Sequence, residues 1–194
     1  MRRRHLLALF LTAPAWPIID ASSSAAQDGG PRAAPTPPCG DDDGETPETS
    51  EGPFYRSGAP DRHDLVAPGV PGDRITIAGA VLDTVCRPVA GAVVQVWHAD
   101  VAGDYSGSNN RFRGAHRTDA RGRWWFSTIV PALYDGRTRH YHFKIQKPGS
   151  PVLTTQLFFP SEARNASDYA FDDRLLMQIT RTADGQFGRY DFVV

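Results

Sequence analysis

No stretch of this sequence holds a 3.6-residue hydrophobic period for three turns, which argues against a fold built on amphipathic helices. No apolar run is long enough to span a bilayer stably; the one near the N-terminus, "LLALFLTAPAW", is short and broken by proline. Beyond the first few residues there is no Lys/Arg block, and the net charge is −1, so nucleic acid is not an expected partner. No internal repeat occurs. Cysteine is scarce, with only Cys39 and Cys86 in 194 residues. What is present is turn chemistry: 18 glycines and 16 prolines favour a β-rich domain, and 40% hydrophobic with 22% charged residues suits one globular domain.

Three zones follow from composition. Residues 1–26 read as a signal peptide: Arg2, Arg3 and Arg4 form a basic start, an apolar run follows, and "SSSAAQ" offers cleavage around Ala25 or Ala26. The "RRHLL" start resembles a twin-arginine signal, which exports folded proteins. The expected location is therefore outside the cytoplasm, periplasmic or extracellular, with no membrane association once the signal is removed. Residues 27–45, "QDGGPRAAPTPPCGDDDGE", form a Pro/Gly/Asp-rich arm. Residues 46–194 form the domain, long enough to bury roughly two-thirds of its unfolded surface. In an exported chain the cysteine pair suggests a Cys39–Cys86 disulfide that pins the arm to the domain, contributing up to about 4 kcal/mol.

Short strands punctuated by turns predict an all-β sandwich with long loops. The expected strands are residues 74–82, 92–98, 122–129, 140–147, 152–159, 174–180 and 188–194. Along 92–98, Ala92, Val94, Val96 and His98 share one face, and Val93, Gln95 and Trp97 the other. Strand patterning alone is equally compatible with a transthyretin-like binding module without chemistry.

Chemistry enters at "YDGRTRHYHF", residues 134–143. His140 and His142 project from one strand face about 7 Å apart, close enough for two imidazoles to share an ion. Tyr141 and Phe143 face the other way. A cupin reading needs an acid soon after the pair, and "KIQK" at 144–147 has none. A two-histidine, one-carboxylate Fe(II) oxygenase finds its H-x-D in "HAD", His98 and Asp100. A zinc hydrolase needs three ligands and an open position. Each of these readings leaves the nearby Tyr105 and Tyr134 unexplained.

Taken together, "TPETSEGPFY" (46–55), "GAVVQVWHADVAGDYSG", "FRGAHRTDARGRWWFSTIVPALY", "RTRHYHF" and "TTQLFFPSE" resemble the intradiol ring-cleavage dioxygenases, the non-haem family of protocatechuate and catechol dioxygenases. The resemblance implies Fe(III) held by Tyr105, Tyr134, His140 and His142. It implies that Tyr134 is the tyrosine that gives way to substrate, that Arg137 sits beside the diol, and that Gln156 lies near the reacting ring carbon. The implied partners are a small aromatic diol and O2, and the implied product is a muconate-type diacid. The ligand chemistry agrees: a hard trivalent cation favours phenolate and pulls a tyrosine far below its usual pKa of about 10. "PALY" stands where the family has Pro-Gly before the tyrosine, and Trp124 where it often has Tyr. Ahead of residue 46 there is no room for the helical dimerisation segment of the cytoplasmic enzymes, so the resemblance carries no expectation of oligomeric state. Specificity loops such as "SGSNNRF" (106–112) do not name the diol. Asn165 opens a glycosylation sequon, "NAS".

Overall fold

Alternation of core and surface residues drives the described residues into nine strands. The computed structural model describes residues 44–105 and 110–194, which belong to one compact unit, Ala34–Val194. The expected signal peptide, and all but the last two residues of the expected arm, lie outside the described residues. The strands are β1 (Arg74–Leu82), β2 (Val93–Trp97), β3 (Arg113–Arg117), β4 (Arg123–Ile129) and β5 (His140–Gln146), followed by β6 (Val152–Phe158), β7 (Gln178–Thr182), β8 (Gly185–Arg189) and β9 (Phe192–Val193). One sheet runs β4-β1-β8-β7, with β9 added beside β1; the other runs β3-β2-β5-β6. This is the expected sandwich. Its core is Ile75, Ile77 and Val81 of β1 and Trp124 and Phe126 of β4, against Val94 and Val96 of β2 and Tyr141, Phe143 and Ile145 of β5. Among the described residues no helix is long and apolar enough to cross a membrane.

Three details differ from the pattern expected of the sequence. β3, "RGAHR", has no β-branched residue; pairing with β2 from Val93↔Arg117 to Trp97↔Arg113 makes it a strand. The expected strand at 174–180 opens instead as a short 3-10 helix, Asp173–Leu175, because the Asp172 carboxylate caps the Arg174 N–H. The last expected strand is broken at Tyr190–Asp191 between β8 and β9. There Asp191 Oδ1 accepts from Ala80 N at 2.7 Å, and Arg189 steadies the other carboxylate oxygen at 2.9 Å.

Two connecting segments close the edges that would otherwise expose unpaired backbone. Residues 60–65 stitch β3 to β4: Ala115 N donates to Pro60 O, Arg62 N to Ala115 O, Ser127 N to His63 O and Leu65 N to Ser127 O. A strap at residues 46–56 covers β6 and the outer face of the β3-β2-β5-β6 sheet. Thr46 N donates to Val193 O and Thr49 N to Thr154 O, Thr155 Oγ1 donates to Pro47 O, and Lys144 Nζ meets Glu51 at 2.5 Å. Arg113, only 5% exposed, donates to the carbonyls of Phe54 and Arg56.

Gly79 is where β1 permits the β8–β9 break. A Cβ there would stand 1.6 Å from the Tyr190 carbonyl oxygen. Gly79→Ala is therefore expected to push the C-terminal segment away and to lose about 2 to 3 kcal/mol. Urea unfolding checks this: an unchanged midpoint would show that β9 contributes little.

Candidate metal centre

The site is assembled by strand period and register. His140 and His142 lie on the face of β5 opposite the fully buried Tyr141 and Phe143. Pairing then aligns Arg113, Trp97, His142 and Gln156 as one row across all four strands of that sheet. The Trp97 indole stacks on the His142 ring, with centroids 4.9 Å apart and planes 7° apart. Gly52 of the strap backs the same ring: its φ is +74°, and a Cβ there would stand 3.1 Å from His142 Cε1.

The donor atoms converge. His140 Nε2 and His142 Nε2 are 3.1 Å apart, and Tyr105 Oη lies 3.2 Å from His140 Nε2. His140 Nδ1 donates to Thr138 O at 2.7 Å, which leaves the lone pair on Nε2 facing Tyr105 and His142. His142 Nδ1 is buried without a hydrogen-bond partner. Burial lowers the His140 pKa to about 4 and that of His142 well below the usual value, with the Arg137 charge adding to both. Both rings are therefore neutral, the state that ligates a metal. Burial raises the Tyr105 phenol well above its ordinary value, more than the Arg137 charge lowers it. Two facing imidazole nitrogens share at most one proton, whereas a cation among Nε2, Nε2 and Oη satisfies all three. The donor set thus fits a hard or borderline cation that can hold phenolate. Among the described residues, no group of three or more His, Cys, Asp or Glu could hold a metal.

Tyr134 and Arg137 are brought together by a tight turn. Arg137 N donates to Tyr134 O, and the two central residues, Asp135 (φ +38°) and Gly136 (φ +79°), are left-handed. Asp-Gly is the pair that favours such a turn. The Tyr134 ring lies edge-on to Tyr105 at 5.5 Å and to Phe54 at 5.3 Å. Phe54 itself stacks on Tyr105 at 4.4 Å with planes 8° apart. Arg137 is buried; Nη2 donates to Gln156 Oε1 at 2.6 Å and Nε reaches both Asp168 oxygens, at 3.0 and 2.8 Å. Gln156 Nε2 in turn donates to Ser50 O at 3.1 Å.

The structure brings Tyr105, His140 and His142 into contact, and sets Tyr134, Arg137 and Gln156 around them. It does not join His98 and Asp100 to that group as an H-x-D pair. Both His98 nitrogens are engaged, Nδ1 with Ala99 O and Nε2 with Thr128 Oγ1, and burial lowers its pKa to about 4. Asp100 caps the N–H groups of Ala102 and Asp104 and meets Arg111. Sequence reasoning missed Gly52, Phe54, Trp97 and Asp168 as neighbours of the site; "SEGPFY" was the only signal for the first two. Asn165 of the sequon has its amide committed inside, to Phe159 O and Thr138 Oγ1. Cys86 is disulfide-bonded, while its expected partner Cys39 lies outside the described residues.

A family model described as dioxygenase matches residues 50–194. The chain belongs to the intradiol ring-cleavage dioxygenase family. It is 34% identical over 158 residues to catechol 1,2-dioxygenase 2 of Acinetobacter lwoffii, covering 68% of this chain and 58% of that one. It is 35% identical over 163 residues to the protocatechuate 3,4-dioxygenase beta chain of Burkholderia cepacia, covering 67% and 69%. Among solved structures, the dioxygenase domain of a dioxygenase carbohydrate-binding protein fusion from the cellulolytic Streptomyces sp. SirexAA-E superposes with a TM-score of 0.76. It is 44% identical and covers 78% of this chain and 98% of that domain. The chain thus spans a little over half the length of the Acinetobacter enzyme and nearly all of the Streptomyces domain.

Proposed function

We propose that the protein is an Fe(III)-dependent intradiol dioxygenase that opens aromatic vicinal diols of the catechol or protocatechuate type with O2, giving a muconate-type diacid. The convergence of Tyr105 Oη and the two imidazole Nε2 atoms within 3.2 Å carries this reading. Tyr105, Tyr134, His140 and His142 would hold the iron. When bound, Fe(III) supplies the Lewis acidity that makes a diol acidic and readies its ring for O2.

The chain's own groups do the rest. Tyr134, held beside Tyr105 by the Asp135–Gly136 turn, would accept a proton from the incoming diol. Arg137 would face negative charge on the ring oxygens, its guanidinium already desolvated and fixed. Gln156, with both ends of its amide committed, would form a rigid wall at the ring. Phe54 and Trp97 hold Tyr105 and His142 in place and keep water from them. Export to the periplasm or beyond belongs to the same proposal, and the disulfide at Cys86 suits an oxidising compartment. A diol derived from plant phenolics is in keeping with the cellulolytic source of the Streptomyces relative.

The visible spectrum of the iron-loaded protein, before and after catechol without oxygen, tests the proposal. A broad tyrosinate-to-iron band that shifts with catechol and returns when oxygen is admitted is the expected result. A protein that stays colourless with Fe(III) would overturn it and leave a sandwich-type binding module.

A further inference from the structure

Buried Arg137 is held by more than its contact with Gln156, and the second residue that holds it comes from a loop 31 positions away. Asp168 follows the short 3-10 helix Ala163–Ser167, and its side chain is fully buried. Its carboxylate accepts from Arg137 Nε at 3.0 and 2.8 Å, from Thr138 N at 2.7 Å and from Ala170 N at 2.9 Å. Burial opposes the charge, but the hydrogen bonds from Arg137, Ala170 and Thr138 win and hold the carboxyl below its usual range. The loop is anchored at Asn165, which accepts from Thr138 Oγ1 and donates to Phe159 O. Asp168 N also donates to Arg164 O at 3.0 Å.

With Nε committed to Asp168, the guanidinium plane has one orientation. Nη2 then points at Gln156 Oε1, and Nη1 lies 3.4 Å from Tyr169 Oη, with the Tyr169 ring beneath the guanidinium carbon at 4.7 Å. We infer that Asp168 is a positioning residue for ring cleavage: it fixes Arg137, and through Arg137 the Gln156 amide, in the orientation that meets the bound diol. The inference rests on the diol-cleaving role proposed above. It assigns Asp168 no contact with substrate.

A double-mutant cycle on the iron-loaded full chain tests it, using Asp168→Asn, Arg137→Ala and the double variant. The readouts are catechol affinity from the anaerobic band shift, kcat/KM, and iron content. Asp168→Asn is expected to lose about tenfold in affinity and kcat/KM with iron content unchanged, and to lose nothing further in the Arg137→Ala background. Equal losses in both backgrounds would mean that Asp168 serves only the fold, and would overturn the inference. An NMR measurement decides the point without catalysis. The Arg137 Nε–H should exchange slowly in the wild type and fast in Asp168→Asn; equal rates would overturn the inference even if Asp168→Asn folds poorly in the assay. A wild-type protein that does not respond to catechol would instead overturn the diol-cleaving role.

Discussion

Tyr105→Phe and Tyr134→Phe should each lower kcat on catechol by roughly a thousandfold, about 4 kcal/mol in the barrier. They should also weaken or shift the visible band. The reason is the donor set. Two neutral imidazoles offer no charge to a trivalent cation, so in the proposed centre the phenolates of Tyr105 and Tyr134 would supply it. Tyr105 Oη is already 3.2 Å from His140 Nε2, and Tyr134 stands against it ring to edge. Phenylalanine keeps the ring contact with Phe54, stacked at 105 and edge-on at 134, while removing the oxygen, so iron content, spectrum and steady-state rate isolate the ligand role. Asp100→Ala is the control: it removes a loop cap and the contact with Arg111, yet should leave the iron and the band intact. Loss of iron in Asp100→Ala with iron retained in Tyr134→Phe would reverse the assignment in favour of a carboxylate site.

Trp124→Ala should cost about 3 to 5 kcal/mol, lowering the thermal midpoint by roughly 10 °C or more. Trp124 is 1% exposed and stands where the two sheets meet, in ring contact with Phe143 of the facing sheet at 5.3 Å and Phe192 of β9 at 5.2 Å. No neighbour can collapse into so large a void without leaving its own contacts. Because Phe143 is next to His142 on β5, the variant should also bind iron more weakly at temperatures where it is still folded. Trp124→Phe should cost much less, since its buried Nε1 has no hydrogen-bond partner to lose. Calorimetry on the two variants side by side checks both statements; equal losses would show that ring volume is not what Trp124 contributes.

Both results depend on features that differ in how far the sequence reveals them. The shared face of Ala92, Val94, Val96 and His98, opposite Trp97, follows from period-2 alternation; the structure buries that face in the core and also buries Trp97 on the other face, against Tyr55 of the strap. The same period puts His140 and His142 on one face. β3 was missed because "RGAHR" has no strand propensity of its own and is a strand only by virtue of β2. The 174–180 segment was misread because a local side-chain cap at Asp172 outcompetes an apolar run. The Asp135–Gly136 turn was not anticipated, nor that it sets Arg137 beside Tyr134.

By itself, the sequence determined the all-β class, the shared face of the histidine pair, and the motifs that place the chain in the intradiol family. Each of these is written in neighbouring residues, where side-chain direction alternates at a fixed period and turn chemistry is local. Only the tertiary structure decided the row from Arg113 to Gln156, the strap that sets Ser50 against Gln156 across 106 residues, and the Asp168 carboxylate under Arg137. It alone decided as well that Gly79 must be glycine, because Tyr190 lies against it. Those contacts join residues far apart in the chain, and strand register and loop path, which no local pattern encodes, bring them together.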